Sequence, residues 1–283
     1  MTHPGQDLPV SILVLTLNEA PNIEACLRSV EGFGDVTVLD SRSTDGTQDI
    51  ARRMGANVVE RPFDNWAAHQ NWAMEHVPFR HPWVFYLDAD ERMTPELQQE
   101  ILAIARDASR PEVAFYCGRR NWFMGTWIRH AMPPGMIMRF FRPRHVRFER
   151  LVNPVPVIDG PHGYLTHLFE HYNFSKGLSE WLDKHNKYSQ FEALEGMKLL
   201  AGARPSLRRL FGRDAFDRRR ALKELSFRLP CRPLLKFLWM YVLKRGFLDG
   251  RAGWTYCRLQ ATYEFMIVVK MAELERRARG LSA

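Results

Sequence analysis

Val10-Ser-Ile-Leu-Val-Leu-Thr-Leu17, followed at once by Asn18-Glu19, is the stretch from which the fold can be read. A short run rich in β-formers, with hardly a polar break, has the pattern of a strand buried on both faces of a parallel sheet. Outward from it, Asn22 can cap a helix whose apolar positions Ile23, Leu27 and Val30 keep helical spacing. Gly32 and Gly34 then punctuate before a second strand, Val36-Thr-Val-Leu39. Ser43-Thr-Asp-Gly-Thr47 turns into a helix over Gln48 to Met54, Gly55 ends it, and Val58-Val59 begins a third strand. Trp66 to His76 predicts another helix, and Trp83-Val-Phe-Tyr-Leu87 a strand that stops at Asp88-Ala-Asp-Glu91. Thr94-Pro95 opens a further helix to about Ala105, with Thr as cap and Pro at the first helical position. Roughly the first 110 residues are therefore alternating α/β.

Beyond Val113-Ala-Phe-Tyr116 the rhythm loosens into aromatic, Arg-rich strands and turns, including Arg119-Arg-Asn-Trp-Phe123 and Met138-Arg-Phe-Phe-Arg142, as in a mixed sheet. From Lys176 onward the pattern is helical, with Trp181, Leu182, His185 and Tyr188 to Phe191 expected on core faces. Leu234 to Leu243 and Phe265 to Val269 are strongly apolar but fall short of the ~20 residues a bilayer span needs. Arg232, Lys236, Lys244, Arg245, Arg251 and Arg258 stand among aromatic residues there. Two readings stay open: interfacial helices on an anionic membrane surface, or helices packed on the rest of the protein.

With 283 residues, 46% hydrophobic and 25% charged, the chain has the make-up of a folded protein with one large domain and an appendage. Its four cysteines lie far apart without a Cys-x-x-Cys pair, which argues against a zinc ribbon or a disulfide scaffold; reduced, mostly buried thiols are expected. No basic n-region precedes the first apolar run, which ends at Asn18-Glu19 rather than at a small-residue cleavage site, so a cytoplasmic location is expected. The net charge of +8 is unevenly spread: residues 204–283 hold 19 Lys/Arg against 7 Asp/Glu, while residues 1–203 hold 21 against 25. No helix-turn-helix, zinc-finger or ribonucleoprotein signature accompanies the basic tail, so nucleic acid is not an expected partner.

Open α/β sheets bind ligands beyond the carboxyl ends of their strands, and here those positions are acidic. Glu19 follows the first strand, Asp40 the second, and Asp88 and Asp90 the strand at Trp83–Leu87. Converging carboxylates repel one another unless a cation sits among them. Asp88-x-Asp90 has the spacing to hold one Mg²⁺ or Mn²⁺ through oxygen ligands, leaving the other positions to a diphosphate. Alone, such a pair can equally be a solvated loop start.

Ile12-Leu-Val-Leu-Thr-Leu-Asn-Glu19, Val38-Leu-Asp-Ser-Arg-Ser-Thr-Asp-Gly-Thr47, Gln70-Asn-Trp-Ala73 and Leu87-Asp-Ala-Asp-Glu91 together resemble glycosyltransferase family 2. The set looks closest to the bacterial group that includes lipopolysaccharide core β-glucosyltransferases. Looser similarity continues through Arg139-Phe-Phe-Arg142, His185-Asn-Lys-Tyr188 and Arg245-Gly-Phe-Leu-Asp-Gly250. The resemblance implies a GT-A fold, a Rossmann-like α/β nucleotide-diphospho-sugar transferase domain, over residues 1–175, with a donor half to about 110 and an acceptor half after it, and a helical, basic extension over 176–283. It implies that Thr16 and Glu19 border the nucleoside, Asp40 touches the base or ribose, and Asp88 and Asp90 serve ribose, diphosphate and metal. Asn71 would lie along the donor phosphates or ribose, or else be a polar residue on an amphipathic helix.

The implied reaction is inverting transfer of a hexose, glucose from UDP-glucose in the first instance, to a glycan or lipid-linked acceptor in envelope polysaccharide or lipopolysaccharide assembly. A carboxylate near the acceptor hydroxyl would act as base. Related sequences tend to carry Val-His-Glu where Val152-Asn153-Pro154 stands, so the expected Glu is missing. Glu149 is the substitute, with Asp159 and Glu91 behind it; the alternative makes Glu149 a surface partner of Arg147 or Arg150. His167-Leu-Phe-Glu-His171 fits the H-x-x-E-H zinc peptidase pattern, but Gly160-Pro-His-Gly163 just before it speaks against the helix that pattern needs. The arginines from Arg119 to Arg147 around Trp122, Trp127, Phe140 and Phe141 suit a sugar-phosphate acceptor or an ordinary solvated face. A nucleotidyltransferase and a non-catalytic sugar-nucleotide or glycan-binding module are the competing functions. The first lacks its Gly-rich phosphate loop here.

Overall fold

In the computed structural model, which describes residues 8–149, 154–202, 215–229 and 231–282, Ser11–Thr16 forms strand β1, buried along its whole length. There follow α1 (Ala20–Ser29), β2 (Val36–Asp40), α2 (Thr47–Arg53), β3 (Asn57–Glu60), α3 (Trp66–His76), β4 (Val84–Asp88), β5 (Glu91–Arg92) and α4 (Pro95–Arg106). Next come β6 (Ala114–Phe123), β7 (Thr126–Trp127), β8 (Met136–Phe141), β9 (Val146–Glu149), β10 (Val155–Ile158), β11 (His162–Tyr164) and β12 (Phe169–His171). The remainder is helical: α5 (Gly177–Ala201), α6 (Ala215–Ser226), α7 (Arg232–Leu238) running into a π turn (Trp239–Leu243), a 3₁₀ turn (Gly246–Asp249) and α8 (Gly250–Ala278). Two compact units result: the described residues up to Trp122 with Pro134–Ser175, and Phe123–Pro133 with the chain from Lys176 on. The sequence expectation groups Phe123–Pro133 with the first 175 residues, whereas the structure joins this segment to the helices.

In the first unit the sheet order is β3-β2-β1-β4-β8-β6-β12-β5. β3, β2, β1 and β4 are parallel, and β8 runs antiparallel to both β4 and β6. Alternate residues of β1 serve opposite faces, as a period of two requires. Ile12 and Val14 join Val38, Phe85 and Leu87 under α1 and α4. Leu13 and Leu15 join Leu39, Tyr86 and Phe141 under α3. Each such buried side chain contributes about 1.5–3 kcal/mol relative to exposure, which is why the strand tolerates almost no polar residue. Thr94 caps α4 by accepting from the Leu97 N–H at 3.3 Å. Asn22 does not cap α1: the helix begins at Ala20, the Glu19 carbonyl accepts from the Asn22 and Ile23 amides, and the buried Asn22 side chain donates to Glu19 Oε2 at 2.7 Å. Pro21, suited to a first turn, moves the start upstream.

In the second unit Ala193, Phe227, Ile267 and Met271 form a small core between α5 and α8. Along α5 the buried positions are Trp181, Ser189, Ala193 and Gly196. Leu182, Tyr188 and Phe191, expected on core faces, are exposed instead, because the neighbours of α5 cover it at separate positions and not along a continuous face. Asp249, buried, accepts from the amides of His130 and Ala131 at 3.0 and 2.7 Å and from His130 Nδ1 at 2.7 Å. Gly253 lets α8 meet the 3₁₀ turn: a Cβ there would stand 2.1 Å from the Gly246 carbonyl oxygen. All four cysteines are free, and all but Cys231 are buried. Among the described residues no helix is long and apolar enough to cross a membrane.

Candidate active site

Strand register brings the acidic positions together. Thr16 at the end of β1 pairs with Asp40 on β2, and Leu15 pairs with Asp88 on β4, so both carboxylates flank the carboxyl end of β1. Two strand spacings, roughly 10 Å, separate their backbones. Asp40 is fully buried, and its oxygens accept from Thr16 Oγ1 at 2.7 Å, Ser43 N–H at 2.7 Å, Ser43 Oγ at 2.5 Å and Gln48 Nε2 at 2.8 Å. It thereby pins the loop between β2 and α2 against β1. Glu19 lies beside this loop, its N–H donating to Thr47 Oγ1 at 2.8 Å.

Arg139 on β8, only 4% exposed, lies between two carboxylates, 2.7 Å from Asp88 Oδ2 and 2.6 Å from Glu91 Oε1. Its guanidinium also covers the rings of Tyr86 and Phe169 at 4.2 and 5.5 Å. Burial opposes the Arg139 charge, but Glu91 and Asp88 outweigh it and hold the group firmly protonated. Burial pushes Glu91 up to about 7, against the pull of Arg139 and with the push of Asp88. Tyr86 donates to Asp88 Oδ1 at 2.7 Å, and its own hydroxyl is raised by burial and then by Asp88. The Asp88 N–H donates to Glu91 Oε2 at 3.0 Å. Asp88 is thus fixed in position while about a third of its side chain stays open to solvent.

Asp90 meets a different partner. His171 Nε2 stands 3.4 Å from Asp90 Oδ2, and His171 Nδ1 is 2.9 Å from the side-chain oxygen of the buried Asn121. With Nδ1 turned to the Asn121 oxygen, Nε2 faces the Asp90 carboxylate.

The other expected site residues fall elsewhere. Asn71 donates to the Phe148 carbonyl at 2.9 Å and accepts from its N–H at 2.7 Å, so its amide ties α3 to β9. Glu149 is exposed and paired with Arg147 at 2.8 Å. Val152 and Asn153 lie outside the described residues. His167 and His171 are not one helical turn apart: Phe169–His171 is a strand paired with β5 and β6, and His167 binds Glu100, which removes the zinc-peptidase geometry. Arg139 and His171 stand in the sequence only within the looser Arg139-Phe-Phe-Arg142 similarity and the H-x-x-E-H pattern, without a place beside Asp88 or Asp90. A lone charge inside the apolar strand Met136-Ile-Met-Arg-Phe-Phe141 is the signal that points to the first.

Residues 11–162, more than half of the chain, match the glycosyl transferase family 2 profile, and the chain belongs to that family, with a GT-A fold. It is 39% identical to an uncharacterized glycosyltransferase of Rickettsia bellii over 280 residues, covering 94% of this chain and 86% of that one. It is 24% identical to the lipopolysaccharide core biosynthesis glycosyltransferase LpsC of Rhizobium meliloti over 277 residues, covering 93% and 92%. Among solved structures it is similar to glucosyl-3-phosphoglycerate synthase from Mycobacterium tuberculosis, crystallised with Mn²⁺, UDP-glucose and phosphoglyceric acid. That likeness has a TM-score of 0.31 and 22% identity over 39% of this chain and 43% of the other.

Proposed function

We propose that this glycosyltransferase is an inverting, metal-dependent hexosyltransferase that moves glucose from UDP-glucose to a glycan or lipid-linked acceptor in lipopolysaccharide or envelope polysaccharide assembly, at the cytoplasmic face of the plasma membrane. The observation that carries it is the Asp40, Asp88, Asp90 and Arg139 cluster at the carboxyl end of β1 and β4. In this reading Thr16, Glu19 and Asp40 shape the nucleoside pocket, Asp88 faces ribose and diphosphate, and Asn71 supports the same wall through β9.

Asp90 and His171 fit a divalent ion. Among the described residues no three His, Cys, Asp or Glu side chains form a ready ligand set, but Mg²⁺ and Mn²⁺ sites at diphosphates commonly take one or two protein ligands plus substrate oxygens. The second ring nitrogen of His171, held by Asn121, has the support that a metal-bound imidazole needs. When bound, the ion would neutralise charge developing on the departing diphosphate. Arg139 keeps Asp88 in place throughout. Displacement in one step breaks the anomeric carbon to phosphate-oxygen bond as the acceptor oxygen bonds to the opposite face, so the anomeric configuration inverts. The hydroxyl proton passes to a carboxylate, assigned here to Glu149, with Asp159 and Glu91 as the alternatives.

The test is thermal-shift binding of UDP-, GDP- and dTDP-sugars, with and without Mn²⁺, on wild type, Asp88→Ala with Asp90→Ala, and His171→Ala. The expected result is stabilisation by one UDP-sugar that needs metal and is lost in both variants. Stabilisation without metal would remove the metal from the mechanism, and no binding by any sugar would remove the transferase reading.

A further inference from the structure

α7 and the π turn after it present two adjacent rows at i, i+4, i+8: Leu234, Leu238 and Val242, and beside them Leu235, Trp239 and Leu243. Every one of these six is between 41% and 68% exposed, while Met240 on the opposite side is buried. A protein that meets only water seldom shows so continuous an apolar face. The half-buried rings of Phe237 and Tyr241 and the exposed Trp254, with ring centroids 5.1–5.2 Å apart, adjoin it.

Charge says what covers this face. From Cys231 to Arg258 the chain carries Arg232, Lys236, Lys244, Arg245, Arg251 and Arg258, and one acid, Asp249, which is buried on His130 and Ala131. Glu264 is also buried and is taken by Arg232 at 2.8 Å and Lys236 at 3.8 Å. Lys244, Arg245, Arg251 and Arg258 have no acidic partner among the described residues. A second copy of this chain would bring the same cations against them, and no described helix can span a bilayer. An apolar row rimmed by unpaired cations and tryptophan suits the headgroup boundary of a membrane.

We infer that α7 and the π turn are a membrane-docking helix that lies in the plane of a bilayer containing anionic phospholipid, its two apolar rows among the acyl chains and the flanking Lys and Arg on the phosphates. This gives a surface to the membrane location stated under the proposed function and rests on that reading.

The experiment is flotation of the full chain with vesicles of phosphatidylcholine alone or mixed with phosphatidylglycerol. Quenching of Trp239 by brominated lipid is read against Trp239→Phe, and nucleotide-sugar binding and sedimentation velocity are followed in parallel. Wild type should float with the anionic vesicles and show quenching that Trp239→Phe lacks. Leu238→Glu with Leu243→Glu should weaken flotation by about tenfold or more, and Lys244→Glu with Arg245→Glu should abolish the preference for phosphatidylglycerol. All should keep wild-type sugar binding. The inference is overturned if wild type does not float, if the Leu→Glu variant floats as well as wild type, or if wild type sediments as a dimer that this variant splits. Absence of sugar binding by wild type would overturn the transferase reading while leaving the flotation result intact.

Discussion

Phe85, Phe140, Phe141 and Phe169 in the first unit have lost contact with water almost entirely, whereas Trp239, Leu243 and Phe247 in the second keep between 47% and 68% of their surface exposed. Charge runs the other way. The first unit encloses Arg139 and Glu91 in its interior; among the described residues of the second, Lys244, Arg245, Arg251 and Arg258 are exposed. A sheet covered on both faces supplies a low-dielectric setting in which a few fixed charges act strongly on a bound ligand. A helical layer covered only in part leaves apolar surface for something other than water. The difference separates a region built to hold charge in place from one built to meet a surface.

The largest effect should come from Arg139→Ala, which leaves Asp88 and Glu91 without their cation. We expect a loss of about 3–5 kcal/mol in urea unfolding and no measurable transfer; a loss under about 1 kcal/mol would show that the first unit does not depend on enclosed charge. Gly253→Ala forces a Cβ against the Gly246 carbonyl and should cost about 1–3 kcal/mol, seen as a lowered Tm with nucleotide-sugar affinity retained at low temperature. Asp40→Asn replaces one acceptor oxygen by a donor facing Ser43 or Gln48. It should cost about 1–2 kcal/mol and raise KM for the sugar nucleotide more than it lowers kcat.

A smaller effect is pH-dependent. With Glu91 raised from 4.5 to about 7 in the folded protein, the folded state holds a proton that the unfolded chain has released, so stability should fall as pH rises through that window. Urea midpoints across the window should show this slope, and Glu91→Gln should flatten it. The smallest change in stability, under about 0.5 kcal/mol, is expected for Glu149→Gln, because both partners of its ion pair with Arg147 are more than half exposed. Its kcat should nonetheless fall by about 10². Full retention of kcat would pass the base assignment to Asp159.

Local pattern made the parallel side of the sheet legible. The apolar run of β1, Thr94-Pro95 at the head of α4 and Trp66–His76 as a helix all follow from periods of two or 3.6 residues and from capping chemistry. The end of β1 also announced where the carboxylates gather. Helix α5 was legible as a helix but not in its buried face, since Leu182 and Phe191 carry the same apolar signal as Trp181 and only the neighbours of the helix distinguish them.

The sequence by itself determined the alternation of strands and helices, the acidic strand ends and the basic, apolar tail, because each depends on residues within a turn or two of one another. Tertiary structure decided the rest. Arg139 reaches Asp88 across 51 positions, Asn71 is drawn to the Phe148 backbone across 77, and His171 turns to Asn121 across 50. No local period encodes such pairings. They are set by which strands lie side by side and by the cost of burying a polar group without a partner, and that cost is defined only once the sheet has closed.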